Sequence, residues 1–213
     1  MSIIENVSNS MATKIGQKTN KSKDEIEVMN YGLFICLHTI VSFIITIIIG
    51  ILIGRLKEIL IITLVSSSLK RCSGGVHATS PNRCLIIGLI FSVILTYICG
   101  IFNIYGDNLI MYLSSLTIIA FCYYIFYKKA PVGTKNKPLK KESTRKKLRK
   151  KLFKLLNLYI VIIILCILVM QIKLIKYNLT SFIYCIELGI LLQTISLTKL
   201  GETTILKIDC FLK

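Results

Sequence analysis

Tyr31-Gly-Leu-Phe-Ile-Cys-Leu-His38-Thr-Ile-Val-Ser-Phe-Ile-Ile-Thr-Ile-Ile-Ile-Gly50-Ile-Leu-Ile53 is the stretch on which the fold turns. Its 23 residues hold one side chain able to carry charge, His38. As a helix at ~1.5 Å per residue it measures about 35 Å, enough to cross a hydrocarbon core of about 30 Å. A soluble helix of that length would carry polar residues along one face. This one predicts a membrane span. His38 has no second ligand residue at i±3 or i±4 and reads as a packed, neutral histidine. Gly50-x-x-x-Gly54 closes the stretch as a small-residue packing motif, which would serve a dimer contact or intramolecular packing equally well.

The rest of the chain repeats the pattern. Of its 213 residues 54% are hydrophobic, and the mean hydropathy is +0.72. Further apolar runs cover 85–102, 109–127, 155–172 and 179–197. Residues 59–69 form a shorter one, roughly 17 Å of helix. It ends in Ser66-Ser67-Ser68 and reads as a partial, re-entrant or tilted segment. The expectation is an all-α, polytopic integral membrane bundle with about six apolar segments. Residues 1–30, polar and balanced in charge, read as an amphipathic surface segment rather than a cleavable leader. Residues 31–213 read as the membrane-embedded body.

Charge is placed unevenly. The formal net charge is +17, and residues 128–151 hold 12 Lys or Arg against Glu142 alone. Beside membrane spans this is the positive-inside bias, and the loop reads as cytoplasmic. Nucleic-acid binding would want aromatics among the basic residues, and none lies between Tyr127 and Phe153. Counting spans back from that loop puts residues 70–84 on the cytoplasmic side too. Lys173 and Lys176 then fall outside, a mild conflict with the rule.

Eight cysteines suggest disulfides or zinc, but no C-x-x-C occurs and five lie within apolar runs. Cys210 gives a poor prenylation match because the chain ends in Lys213. Only Cys72 and Cys84 stand in a polar setting with chemistry near them.

That setting is Lys70-Arg-Cys-Ser-Gly-Gly-Val-His77-Ala-Thr-Ser-Pro-Asn-Arg-Cys84. A nucleophilic cysteine needs a base and a positive environment; His77 is the base, and Arg71 and Arg83 supply charge. Ser80-Pro81 is a helix-start signal that puts Cys84 in the first turn or so of the next span, where the helix dipole favours a thiolate. On one unbroken helix, His77 and Cys84 would lie about 10.5 Å apart along the axis, too far to share a proton. Gly74-Gly75 and Pro81 supply the break that would fold the pair together. On spacing alone, this reading and an ordinary interhelical loop stand level.

Three stretches tip the balance. Arg71-x-x-x-Gly75-x-His77-Ala78 with Cys84, Lys129-Ala-Pro-Val-Gly-Thr-Lys-Asn-Lys-Pro138, and Glu187-Leu-Gly-x-x-x-Gln193 occur in the order found in the AgrB (accessory gene regulator protein B) family. The chain resembles that family over nearly its whole length. The resemblance implies a membrane cysteine endopeptidase of quorum sensing. Such an enzyme cuts the C-terminal tail of a short AgrD-like precursor peptide and closes a thiolactone or lactone ring. It implies Cys84 as nucleophile, His77 as base, Arg71 and Gly75 as supporting positions, no metal or organic cofactor, and a homodimer as a plausible assembly. The group orienting His77 stays open among Glu58, Asn82, Glu187 and Gln193. A peptide transporter or exporter and a non-catalytic scaffold are the rival classes. The lack of an internal repeat counts against the transporter.

Overall fold

A computed structural model describes residues 3–105, 108–133, 139, 141–172 and 179–212. All regular structure in these residues is α-helical, in eight helices. Four of them are long and apolar enough to cross a bilayer, and a fifth crossing arises if the last two helices are counted as one broken span.

By contacts the chain forms two units, Met1–Ile51 and Leu52–Lys213. In the first, α1 (Ile3–Lys18) turns into α2 (Lys23–Leu52). Ser22 and Glu25 form a reciprocal capping box there: the Glu25 carboxylate accepts from the Ser22 N–H at 3.0 Å, and the Ser22 hydroxyl from the Glu25 N–H at 3.3 Å. The buried face of α1 is Ser8, Ala12 and Gly16, small residues one turn apart, and Gly16 sits against Ile26. The polar N-terminal segment expected from sequence is therefore a hairpin whose second arm runs straight into the span. Gly54 lies beyond the end of α2 with φ +67°, so it shares no helix with Gly50. The Gly50-x-x-x-Gly54 packing motif is withdrawn on that ground.

The second unit is built around α7 (Thr180–Ile195), with α3 (Leu56–Ser73), α4 (Pro81–Tyr105), α5 (Asn108–Lys129) and α6 (Glu142–Gln171) packed against it. Eleven of the sixteen residues of α7 are buried, Glu187 among them, so the helix lies mostly inside the bundle. An acid inside an apolar run would be driven to that interior position. Gly189 lets α7 approach α3 closely, since a Cβ there would lie 2.8 Å from Val65 Cβ. Helix association in lipid gains from contacts of this kind because lipid tails are as apolar as leucine.

α3 is longer than its apolar run suggested. It continues through the three serines to Ser73, about 27 Å of helix. Ser67 and Ser68 do not break it because their hydroxyls find partners locally and across the bundle, Ser67 donating to the Leu64 carbonyl at 3.2 Å. Ser68 donates to the Val65 carbonyl and lies 2.8 Å from the Tyr159 hydroxyl of α6, and Ser73 donates to the Leu69 carbonyl. Its buried stripe is Ile59, Ile62, Val65, Leu69 and Ser73, at helical spacing. α4 shows the opposite pattern. Its exposed stripe of Ile86, Ile90, Ile94, Tyr97 and Ile101 would be an aggregation patch in water and is the natural outer surface in lipid.

Two further departures concern the polar segments. The basic run read as a loop over 128–151 is helical at both ends: α5 carries Lys128 and Lys129, and α6 starts at Glu142. Lys and Arg are good helix formers, and Glu142 pairs with Lys146 at 2.9 Å across one turn. The span expected over 179–197 ends at Ile195, and the chain turns by 83° into α8 (Lys199–Phe211), capped by the Thr198 hydroxyl on Gly201 N–H at 3.1 Å. Positions 134–138, 173 and 176, on which parts of the sequence reading rest, lie outside the described residues.

Candidate active site

One end of the second unit gathers the C-terminus of α3, the N-terminus of α4, the segment after α5, the end of α7, and α8. The chain reverses at Gly74-Gly75, where φ is +70° and +126°. Neither position has room for a side chain. A Cβ on Gly74 would collide with the Val132 carbonyl, and one on Gly75 would lie 2.9 Å from the Ser196 hydroxyl. Glycine is required here for conformation and for space together.

Each stretch carrying the family resemblance meets the others at this reversal. Val132 N–H donates to the Ser73 carbonyl at 2.8 Å, bringing in the Ala130-Pro-Val segment. The Gln193 amide donates to the Ser73 hydroxyl and the Gly74 carbonyl, both at 2.8 Å. Val76 N–H reaches the Ser196 carbonyl at 3.5 Å, and the Lys129 ammonium reaches the Leu197 carbonyl at 3.1 Å. Stretches more than a hundred residues apart in sequence therefore build one loop support. Arg149 from the first turns of α6 donates to the Tyr127 carbonyl at 2.9 Å and lies over the Tyr127 ring. The basic turns thus sit at the same end of the unit as the loop.

Beyond Gly75 the chain leads to His77 and then to the predicted helix start. Ser80 caps α4, its hydroxyl accepting from Arg83 N–H at 3.3 Å, and Cys84 N–H bonds the Ser80 carbonyl at 3.0 Å. Cys84 is therefore the fourth residue of the helix. His77 is exposed and Cys84 half-buried. The Cys84 Sγ lies 3.9 Å from His77 Nδ1. That is a long contact, of the loose kind common before substrate tightens a site.

The cation beside the sulfur is Lys70, from the last turn of α3, whose Nζ lies 3.9 Å from Sγ. Crowding by surrounding atoms and then the Lys70 ammonium hold the His77 imidazole below its ordinary value of 6.5, favouring the neutral ring that can accept a proton. Arg83, expected beside the thiol, points to Asp209 at 3.4 Å. Arg71 is exposed at the end of α3. Among the candidates for a group acting behind His77, Gln193 reaches the loop, but at Ser73 and Gly74. No hydrogen bond joins Glu58, Asn82 or Glu187 to His77 among the described residues.

The acid that does reach the loop is Asp209, in a helix that sequence reasoning did not foresee. α8 is too short and too polar to register as a span. Its remaining signal, Thr198 followed by Gly201-Glu202, is a capping pattern with nothing to mark its target. Lys70 could have been found: it opens the very stretch that holds the pair, one residue before the arginine that drew attention. No group of three side chains suited to a metal ion occurs among the described residues.

Comparisons with known proteins agree with the resemblance. The family described as Accessory gene regulator B matches residues 8–197. The chain is 33% identical over 216 residues to a protein of Clostridium perfringens strain SM101 named AgrB-like, covering 98% of both chains. A second AgrB-like protein, from Clostridium perfringens strain 13, is 31% identical over 214 residues, again with 98% of each chain covered. One from Listeria innocua is 33% identical over 123 residues, 58% of this chain. No solved structure matches the chain.

Proposed function

The chain belongs to the accessory gene regulator B family, and from that premise we propose that it is a multi-pass membrane cysteine endopeptidase acting on an AgrD-like precursor peptide. The observation that carries the reading is the convergence of His77, Cys84 and Lys70 on an accessible loop braced by α7. Cys84 is the nucleophile and His77 its base. Gly75 shapes the loop between them and α7, and Arg71 stands as a supporting position by family likeness.

In this mechanism His77 takes the Cys84 proton, and the thiolate, held by Lys70, attacks the scissile carbonyl carbon. As the tetrahedral centre collapses, His77 returns the proton to the leaving amine and the C–N bond breaks. The N-terminal part of the peptide remains as a thioester on Cys84. A cysteine thiol within that peptide then gives its proton to His77 and attacks the thioester carbon; a new C–S bond closes the ring, and the bond to Cys84 breaks, releasing Cys84 as thiolate. A serine at the same place gives a lactone. One thioester replaces another, so the exchange is close to thermoneutral apart from ring strain. Hydrolysis is the competing fate.

The positive-inside bias of 128–151 supports a cytoplasmic position for the loop and the site. A precursor with an acidic tail would be drawn to the basic first turns of α6 at the same end of the unit. Association of two copies is supported by family likeness alone.

The test is co-expression of the neighbouring precursor peptide with wild type, Cys84→Ala and His77→Ala, followed by mass spectrometry of the peptide. Loss of the C-terminal tail with wild type and an intact mass with both variants is the expected result. An intact precursor in all three supports an exporter or scaffold and ends the peptidase reading. Cleavage that survives Cys84→Ala moves the nucleophile elsewhere, with Cys72 the next candidate.

A further inference from the structure

The His77–Cys84 distance depends on the path of the six-residue link between them, of which Ala78 and Thr79 precede the helix cap at Ser80. It is exposed or half-buried throughout. One group from elsewhere ties it at both ends. The Asp209 carboxylate accepts from Thr79 N–H at 3.2 Å with one oxygen. The other oxygen accepts from the Thr79 hydroxyl at 3.2 Å and from the Arg83 guanidinium at 3.4 Å. Arg83 also donates to the Thr79 hydroxyl at 2.8 Å. Thr79 stands two residues after the base, and Arg83 immediately before the nucleophile.

This carboxylate is 2% exposed. A charge so placed is costly unless it is paired and hydrogen-bonded, and among the described residues the two link residues supply its partners. A helix that merely packed here would gain more from an apolar residue at 209, as its neighbours Ile208 and Cys210 could provide. The geometry points to Asp209 as the positioning residue of the site: it holds the link closed so that His77 and Cys84 face one another. The inference rests on the peptidase reading. It goes beyond it because residue 209 lies outside the region 8–197 that the family model matches. Asp209 touches neither Sγ nor the imidazole; it acts through Thr79 and Arg83.

The experiment uses the full chain in membranes with a synthetic AgrD-like precursor, comparing wild type, Cys84→Ala, Asp209→Asn, Asp209→Glu, Thr79→Val and the Asp209→Asn/Thr79→Val double variant. Asparagine keeps the size but loses the charge and one acceptor. Misplacing reacting groups by about 1 Å costs about 100-fold in rate. Asp209→Asn is therefore expected to lower kcat about 10- to 100-fold with KM changed less than about threefold. Asp209→Glu should recover part of that loss, and the double variant should lose little more than Asp209→Asn alone, since both cut one network. The inference is overturned if Asp209→Asn retains kcat within about twofold of wild type. It is equally overturned if the loss follows a lowered melting temperature and Asp209→Glu is no better than Asp209→Asn. Cleavage by wild type but not by Cys84→Ala leaves the peptidase reading standing in either case. Absence of cleavage by wild type removes both.

Discussion

Replacing Gly75 by alanine tests whether the loop is held as the structure has it. Two independent costs arise at this position. With φ at +126°, an L-residue is strained by about 1–3 kcal/mol. The new Cβ would also lie 2.9 Å from the Ser196 hydroxyl. That hydroxyl cannot simply swing away, because it donates to the Gln193 carbonyl at 2.7 Å, and breaking a buried bond of this type costs about 1 kcal/mol. The sum is about 2–4 kcal/mol, below the total stability of about 5–15 kcal/mol expected of a folded domain. The chain therefore stays folded while the loop relaxes away from its working path. At about 1.4 kcal/mol per factor of ten, the population of the active geometry falls about 30- to 700-fold. The assay is the rate of precursor cleavage in membranes, normalised to protein level, with the melting temperature measured alongside. Adding Ser196→Gly should return only the steric share, about fivefold for about 1 kcal/mol, since the backbone strain remains. Gly75→Ala cleaving within twofold of wild type would refute the reasoning, and so would full rescue by Ser196→Gly.

Two other outcomes follow from the charges. Because His77 is held below its ordinary value of 6.5 and acts as a neutral base, cleavage should persist to more acidic pH than an unperturbed histidine allows. Lys70→Met removes one of the two causes, so the acid limb of the pH–rate profile should move upward; an unchanged limb would remove Lys70 from the site. Reversing Lys146, Lys147 and Lys150 to glutamate should raise KM for an acidic-tailed precursor and flatten its dependence on salt, because exposed charges act only within roughly 8 Å at physiological ionic strength. If topology is preserved and neither quantity changes, the basic turns of α6 serve orientation alone.

The spans and the helix start at Ser80-Pro81 were legible because each rests on local chemistry: apolar length, a hydroxyl cap, a fixed proline φ. The reversal at Gly74-Gly75 was legible for the same reason. What the sequence hid depends on partners far along the chain. The serines of α3 look like a helix end until the partners of Ser67 and Ser68, the local carbonyls and Tyr159, are seen. The basic run looks like a loop because charge marks a membrane boundary more loudly than helix propensity marks secondary structure. Asp209 was invisible because its partners, Thr79 and Arg83, lie more than 120 residues away. Proximity in sequence points Arg83 at the thiol, and the structure gives it to that acid.

The order in which the supports of the loop are synthesised has a consequence for the cell. His77 and Cys84 leave the ribosome early, but Gln193 and Ser196, which brace the reversal, and Asp209, which ties the link, are made more than a hundred residues later. On the proposed reading, the pair is present during that interval without the contacts that aim it, and processing would begin only once α7 has packed into the bundle and α8 has docked on the link.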